Sequence, residues 1–334
     1  MKKGIKVKKS KPEFDFISSG CAVLDCTLGG GFPLGRISNV VGDKSSGKTL
    51  LAMEACANFA FKYPKGQIIY HESESAFNFT NAEAIGVPLD KVHFIENVFT
   101  IGGLFTNLLD VVKKELHRPK FYVLDSLDAL ESSEEIRCDF DESGFHGARR
   151  AERMSSLFRK LTSNINKSQT HFMVLSQLRD KIGAMFGEKQ KRSGGRAMDF
   201  YASQVLWLHD IGGIVKTKRG VKKIIGRRVR ARCKKNKVGL PLRECEFPIL
   251  YRYGINDIEA SINYLSSVDN GLDGIKLPMK KNKDKKIVDI DKAFEVISGD
   301  DKLRDSINIR TIEVWNDIED SFMPRKGKYK GVEF

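Results

Sequence analysis

The feature that most constrains the fold of this chain is the glycine-rich stretch at residues 42–49, which reads GDKSSGKT. An apolar run at 37–41 leads into it, and a helix-forming run at 48–62 follows it. The stretch matches the pattern Gly-x-x-x-x-Gly-Lys-Thr in full, in the strand–turn–helix context that the pattern requires. The backbone N–H groups of such a turn bind phosphate, and the positive end of the following helix strengthens that binding. The sequence therefore predicts a nucleotide site here.

The turn itself supplies most of the predicted nucleotide contacts. The residues predicted to bind nucleotide here are Gly42, Asp43, Lys44, Ser45, Ser46, Gly47, Lys48, Thr49 and Leu50. The Lys48 ammonium is expected to reach the β- and γ-phosphates as a catalytic residue, and the Thr49 hydroxyl to be a ligand of Mg²⁺.

Two acidic stretches offer the other groups that nucleotide hydrolysis needs. Asp125 closes the apolar run KFYVLD and is predicted to lie beside the turn as the second metal-binding residue, with Ser126 next to it in the nucleotide site. The run IIYHESESAF contains Glu72 and Glu74, whose period-2 spacing puts both carboxylates on one side. Either could activate the attacking water, and a solvated acidic loop is the alternative.

Short apolar runs recur along the chain and predict the fold class. Five of them are predicted as buried strands, at residues 37–41, 67–71, 120–125, 171–177 and 203–209. Amphipathic helical patterns at 48–62, 101–117 and 147–165 separate the first four. This alternation predicts an α/β fold with a mostly parallel central sheet and helices on both faces. After residue 209 the pattern predicts a hairpin that adds antiparallel strands.

Composition shifts along the chain predict its division into domains. The predicted parts are a basic N-terminal arm (1–15), an α/β core (16–265), a basic linker (266–286), and a small C-terminal domain with a basic tail (287–334). Helical patterns at 290–297 and 311–322 support the C-terminal domain.

The net charge indicates a class of partner. The chain carries a formal charge of +14, which suggests a nucleic acid or an anionic membrane surface as partner, although a role of the charge in solubility alone is an equal alternative.

No stretch reaches the length of about 18 apolar residues that a membrane span needs, and the lysine-rich start lacks the apolar region of a signal peptide. Six scattered cysteines without a CxxC pair indicate reduced thiols. We expect a cytoplasmic protein without a membrane partner.

One segment has the composition of a loop that binds single-stranded DNA. Residues 179–196, RDKIGAMFGEKQKRSGGR, contain six basic residues and four glycines. Basic side chains suit phosphates, and apolar ones stack on bases. The residues predicted to contact DNA in this segment are Arg179, Lys181, Met185, Phe186, Gly194, Gly195 and Arg196. A second loop is predicted at 137–145, whose acidic residues do not suit phosphate, and the helix after it carries Arg153 and Arg159 as further predicted DNA contacts.

Three stretches resemble the RecA recombinase family. They are SSGCAVLDCTLGGGFPLGRISNVVGDKSSGKTLL, the segment from FRKLTSNINKSQTHFMVLSQLRDKIGAMFG to SGGRAMDFYAS, and CKKNKVGLPLRECEFPILYRYGIN. Together they cover roughly residues 16 to 260 in the family's order. The resemblance implies a RecA-type P-loop NTPase core that uses ATP and Mg²⁺, and it indicates a divergent member with a short N-terminal segment.

The resemblance also implies roles for single residues. Glu74 matches the family's catalytic glutamate, and Gln177 matches the glutamine that senses the γ-phosphate. Lys235 and Lys237 match two lysines that reach across a protomer interface to the ATP of a neighbour, and Tyr251 matches a tyrosine near the adenine.

Two functions from different classes follow. The first is an ATP-dependent recombinase that hydrolyses ATP at protomer interfaces. It would form a head-to-tail homo-oligomeric filament on single-stranded DNA and exchange strands with homologous duplex DNA. The second is a RecA-fold accessory protein that binds nucleotide and DNA without strand exchange, and the short N-terminal segment favours it. A hexameric RecA-fold motor is a weaker third interpretation.

Overall fold

The computed structural model describes the chain from residue 14 to residue 324 with several gaps. The described residues are 14–74, 77–130, 146–180, 190–192, 198, 200–282 and 285–324. In chain order the strands are β1 Phe16–Ile17, β2 Phe32–Pro33, β3 Ile37–Gly42, β4 Gln67–Glu72, β5 Val92–Ile95, β6 Lys120–Asp125, β7 Thr170–Asp180, β8 Gln190–Arg192, β9 Gln204–Lys218, β10 Val221–Asn236, β11 Arg243–Leu250, β12 Gly254–Ile255, β13 Met279–Asn282 and β14 Lys285–Val288.

Helices alternate with these strands. They are α1 Ala22–Leu28, α2 Lys48–Lys62, α3 Phe79–Ile85, α4 Ile101–Lys113, α5 His146–Lys167, α6 Asp257–Ser266, α7 Ile290–Ser298 and α8 Asp301–Phe322. Side-chain oxygens of Asn78, Thr100 and Asn256 accept backbone N–H groups and so fix the starts of α3, α4 and α6. Helix α2 begins at Gly47 without a side-chain cap.

The main sheet is mostly parallel, as predicted. Its strand order is β12-β11-β10-β9-β3-β7-β6-β4-β5. The strands from β9 to β5 pair in parallel, whereas β10, β11 and β12 are antiparallel additions. The five predicted strands are β3, β4, β6, β7 and the first part of β9, and the predicted hairpin is β9–β10.

Helices cover both faces of the sheet, because successive residues of a buried strand point to opposite sides. Val40 and Val123 belong to an apolar cluster with α1, α2, α3 and α6. Their neighbours Val41 and Leu124 belong to a second cluster with α4 and α5. The central parallel strands therefore bury apolar residues on both faces.

Some elements differ from the predicted ones. Helix α4 ends at Lys113 instead of residue 117, and Glu115 has a positive φ of 45° that no α-helix contains. The β9–β10 hairpin is longer than its apolar run indicated. Its turn holds Arg219 and Gly220 at φ values of 51° and 78°, the conformation that tight hairpin turns favour.

The C-terminal helices pack on the end of the core. A third apolar cluster joins α6, α7 and α8. Trp315 of α8 packs against Tyr264 in a tilted contact with ring centroids 5.4 Å apart, and Glu319 of α8 pairs with Arg243 of β11. Strand β13 lies inside the segment predicted as a linker and pairs with β14. The division into domains stays a prediction. Among the described helices, none has the length and apolarity to cross a membrane.

Glu54 joins the helix after the glycine-rich turn to this C-terminal region. From α2 it accepts a hydrogen bond of 2.8 Å from the Ile255 N–H, and the Asp257–Arg304 ion pair of 2.9 Å lies near it. Burial, together with the Asp257 carboxylate, raises the pKa of Glu54 to about 7 against the opposing effects of Ile255 and Arg304. The native state therefore holds this proton more tightly than the unfolded chain does.

We expect Glu54→Gln to remove part of the pH dependence of stability. The raised pKa of Glu54 means that its stabilising contribution is complete below its unfolded value and is lost as pH rises to about 7. The wild type should lose on the order of 2 to 3 kcal/mol of unfolding free energy relative to the variant between pH 5 and pH 8. Urea unfolding at both pH values measures the difference. Glu83→Gln, at an exposed position of α3, is the control, and equal pH slopes for wild type and Glu54→Gln would contradict the assignment.

Candidate nucleotide-binding site

The glycine-rich turn forms a cradle between β3 and α2. Gly47 has a φ of 90°, and a Cβ at this position would lie 2.5 Å from the Ile249 side chain. A Cβ on Gly42 would lie 2.7 Å from the Leu208 carbonyl oxygen. Glycine is therefore required at both ends of the turn. Because no side chain caps α2, its first N–H groups face outward as the predicted anion-binding surface.

Lys48 lies inside this cradle. Its Nζ donates to the carbonyl oxygens of Gly42 at 3.0 Å and Asp43 at 2.7 Å. Burial lowers the pKa of Lys48, and the carboxylates of Asp125 and Glu74 oppose that shift. The buried Ser46 hydroxyl has no hydrogen-bond partner among the described residues. A donor that is buried and unsatisfied, beside an ammonium and uncapped helical N–H groups, fits a phosphate group.

A cleft of about 450 Å³ extends from the turn toward β11. It is lined by Ser45, Ser46, Gly47, Lys48, Thr49, Leu50, Met53, Asn78, Asn81, Arg227, Val229, Ile249 and Tyr251. The predicted Tyr251 thus lies in the same cleft as the second half of the predicted turn, and the aliphatic side chains of the lining could contact a heterocyclic base. Gly42, Asp43 and Lys44 do not line the cleft.

Two residues that the sequence does not place in the nucleotide site are Asn78 and Arg227. Asn78 caps α3, and Arg227 pairs with Asp210 at the root of the β9–β10 hairpin. Both line the cleft. An Asn before a helical pattern is a cap signal, whereas nothing in the basic run around Arg227 distinguishes it from its neighbours.

The two predicted metal-binding residues meet at the edge of the cleft. The Thr49 Oγ1 donates to Asp125 Oδ2 at 2.9 Å, and Asp125 is only 6% exposed. Burial raises the pKa of Asp125, while the hydroxyls of Tyr70 and Thr49 lower it. Within the described ranges, no three His, Cys, Asp or Glu side chains cluster as a metal site. A hydroxyl and one carboxylate suit Mg²⁺, which takes its other ligands from water and phosphate.

Glu74 follows β4 and lies close to Ser126, after β6, and to Gln177 of β7. Gln177, which follows the buried part of β7, donates its Nε2 to Glu74 Oε1 at 2.8 Å, and the Ser126 hydroxyl donates to the same oxygen. Glu72 is buried and accepts the Glu74 N–H at 2.8 Å. Of the two glutamates, Glu72 supports the backbone and Glu74 faces the other polar groups. This difference favours Glu74 as the base.

The register of the sheet explains this convergence. Gly42 of β3 pairs with Gln177 of β7, and Glu72 of β4 pairs with Asp125 of β6. All four strands are parallel, so the segments after their carboxyl ends meet at one edge. Ser73 joins the segment after β4 to the end of β6, because its N–H and hydroxyl both donate to the Asp125 carbonyl oxygen, at 2.8 and 3.1 Å.

Lys237 lies toward the start of β3, and Lys235 is level with the middle of that strand, because it pairs with Val205 of β9, which pairs with Asn39 of β3. Both donate their Nζ to the Phe200 carbonyl oxygen, at 3.1 and 3.3 Å. The Lys237 N–H donates to the Ser203 carbonyl oxygen, and the Ser203 N–H donates to the carbonyl oxygen of Ile37 at the start of β3. The glycine-rich turn follows the other end of β3, roughly 17 Å away at about 3.3 Å per residue. Neither lysine lines the cleft of its own chain.

The predicted DNA-contact residues fall partly outside the described residues. Arg153 and Arg159 lie on α5, where Arg159 is exposed. Arg179 lies on β7, two residues after Gln177. The rest of the prediction is outside the described ranges: residues 137–145, Lys181, Met185, Phe186, Gly194, Gly195 and Arg196.

The chain matches a known family over most of its length. The profile of the RecA N-terminal domain covers residues 2–256. Three relatives named Protein RecA extend this match. The protein of Streptomyces ambofaciens is 37% identical over 249 residues, which cover 74% of this chain and 64% of that protein. The Clostridium acetobutylicum protein is 37% identical over 245 residues, which cover 72% of this chain and 66% of that protein.

The Colwellia psychrerythraea protein is 35% identical over 255 residues, covering 74% of this chain and 68% of its own. The chain spans about two thirds of the length of the relatives that it matches. The matched region contains the cradle, the Thr49–Asp125 pair and the Glu74–Gln177 contact, which are the geometry described above. By its sequence, the chain belongs to the RecA family.

Proposed function

We propose that this protein is an ATP-dependent recombinase. It would bind ATP with Mg²⁺, assemble head-to-tail on single-stranded DNA in the cytoplasm, and exchange strands with homologous duplex DNA. The position of Lys235 and Lys237 carries the proposal. Both Nζ atoms bond the Phe200 carbonyl oxygen and neither lysine lines the cleft of its own chain, which supports a role at the nucleotide of a neighbouring protomer.

The chain's own residues divide the work of binding. The N–H groups at the start of α2 and the Lys48 ammonium would hold the phosphates, and the Ser46 hydroxyl would gain a partner. Thr49 and Asp125 would hold Mg²⁺ and its water shell. The bound metal would withdraw charge from the phosphate oxygens.

Glu74 would take the proton of the attacking water. The Ser126 hydroxyl and the Gln177 amide both donate to its Oε1 and so fix the direction of the carboxylate. Gln177 also belongs to β7, which continues to Arg179 and then to the predicted DNA loop. A γ-phosphate that draws the Gln177 amide away from Glu74 would shift this strand end, which links the nucleotide state to the grip on DNA.

We predict that Glu74→Gln lowers ATP hydrolysis at least about 100-fold, because an amide cannot accept the proton of water. Nucleotide binding should persist, since the amide keeps the carbonyl oxygen that Ser126 and Gln177 bond. Phosphate release and equilibrium binding of a fluorescent nucleotide measure the two effects. Glu96→Gln, at an exposed position, is the matched control. Hydrolysis at the wild-type rate in Glu74→Gln would remove Glu74 as the base.

Single-stranded DNA should stimulate hydrolysis by the wild type, and Phe186→Ala should weaken the stimulation while leaving the rate without DNA unchanged. The physical reason is the loss of an apolar surface on which a base can stack. A fluorescence assay of strand exchange with the same DNA tests the full activity. Hydrolysis that is indifferent to DNA, together with no exchange, would favour the accessory nucleotide-binding protein instead.

A mixing experiment tests the action of the lysines on a neighbour. The Glu74→Gln variant keeps the lysines, and the Lys235→Ala/Lys237→Ala variant keeps the base. Each should be inactive alone with single-stranded DNA. In an equal random mixture, about a quarter of the head-to-tail interfaces combine a complete cleft with intact lysines, so activity should return to about that fraction of wild type.

The control for this experiment removes two lysines at another place. Lys222→Ala/Lys223→Ala lowers the charge equally near the tip of the hairpin, at two exposed positions. This variant should hydrolyse ATP with single-stranded DNA on its own, without a second variant in the mixture. Mixtures that remain inactive would show that the lysines act only within their own chain or only in folding.

A further inference from the structure

Tyr70 lies directly behind the residues that would hold the metal. It is on β4, is 1% exposed, and donates its hydroxyl to Asp125 Oδ2 at 2.7 Å. Sequence analysis assigned it no role, because a tyrosine inside an apolar run is expected in a core. Its contact with Asp125 crosses from β4 to the neighbouring strand β6.

The apolar packing around Tyr70 accounts for an aromatic ring at this position but not for the hydroxyl on it. Its ring centroid lies 4.7 Å from that of Phe77 and 5.8 Å from that of Phe94, in edge-on and tilted contacts. Phenylalanine would make the same ring contacts. A buried hydroxyl costs free energy unless it finds a partner. The partner here is a charged carboxylate, the strongest kind of acceptor for a neutral donor.

The two hydrogen bonds on Asp125 fall on the same oxygen. Oδ2 accepts from Tyr70 on the core side and from Thr49 on the cleft side. The Thr49 hydroxyl keeps its lone pairs when it donates its proton, so it remains able to bind a cation. Two donors on one carboxylate oxygen fix the orientation of the carboxylate group. Oδ1 is then the oxygen that can accept hydrogen bonds from the water shell of a metal.

We propose that Tyr70 is a positioning residue for the Mg²⁺ site, acting through Asp125. The inference rests on the proposed function, because it assigns a supporting group to the same metal site. Tyr70 touches neither nucleotide nor metal. Its hydroxyl holds the buried carboxylate of Asp125 in one orientation. The carboxylate is then already oriented for Mg²⁺ and does not have to rotate when the metal binds.

The test is the Mg²⁺ dependence of nucleotide binding in Tyr70→Phe. A fluorescent ADP analogue is titrated first in EDTA and then at increasing Mg²⁺. The variant should bind the analogue in EDTA within about twofold of wild type, because the cradle and the ring packing are unchanged. The Mg²⁺ concentration that gives half of the added affinity should rise about tenfold, as when groups that orient a metal ligand are removed.

Tyr122→Phe is the matched control. Tyr122 is a fully buried tyrosine on β6, and its hydroxyl donates to Asn107 at 2.9 Å on the other face of the sheet. This variant loses a buried tyrosine hydroxyl of the same kind away from the metal site. Its half-saturating Mg²⁺ concentration should equal that of wild type.

The outcomes separate the inference from the proposed function. An unchanged Mg²⁺ requirement in Tyr70→Phe overturns the inference, as does an equal loss of binding in EDTA, which would show a purely structural role. A shift of the same size in Tyr122→Phe overturns it too. A wild type whose nucleotide affinity does not respond to Mg²⁺ overturns the metal site of the proposed function, and the inference with it.

Discussion

The parallel pairing of β3, β7, β6 and β4 is the constraint on which the rest of the structure depends. Parallel strands end at the same edge, and each of these strands buries apolar residues on both faces. Polar side chains inside the strands, such as Asn39 and His171, are hydrogen-bonded within the core. The charged side chains of the site are confined to the carboxyl ends and the loops that follow them. A register shift of one residue on any of these strands would move its site residue by about 3.3 Å and turn the strand's side chains to the opposite faces.

This confinement also sets the electrostatics of the site. Lys48 is buried among the carboxylates of Asp125, Glu74 and Asp128, and burial pulls the pKa values of Lys48 and Asp125 toward neutrality from opposite directions. Each group limits the penalty on the other because their charges are opposite. The loop carbonyls that accept the Lys48 protons and the hydroxyls that donate to Asp125 supply the remaining solvation.

The groups at the ends of strong patterns were predictable from the sequence. The turn at 42–49 and Asp125 each stand at the end of a buried run, so the sheet had to bring them together. The role of Gln177 came from family resemblance. Sequence reasoning missed α3 and β5, whose seven and four residues are too short for a clear period. It also could not choose between Glu72 and Glu74 from spacing alone, since the choice depends on which carboxylate supports the backbone. Tyr70 was hidden because its ring satisfies the core pattern and only its hydroxyl has a polar partner. The roles of Lys235 and Lys237 came from family resemblance, and their position became informative only with the strand register.

The separation between those lysines and the cleft of the same chain gives the proposed assembly a direction and two unlike ends. In a head-to-tail row, each protomer lends its lysines to one neighbour and borrows from the other, so one terminal cleft always lacks them. A row would then contain one fewer complete site than it has protomers. Long rows would hydrolyse more ATP per protomer than short ones, and every break in a row would inactivate one more site. The rate of hydrolysis per protomer would therefore depend on how continuously the protein covers a DNA strand, which is a property of the assembly and not of one protomer.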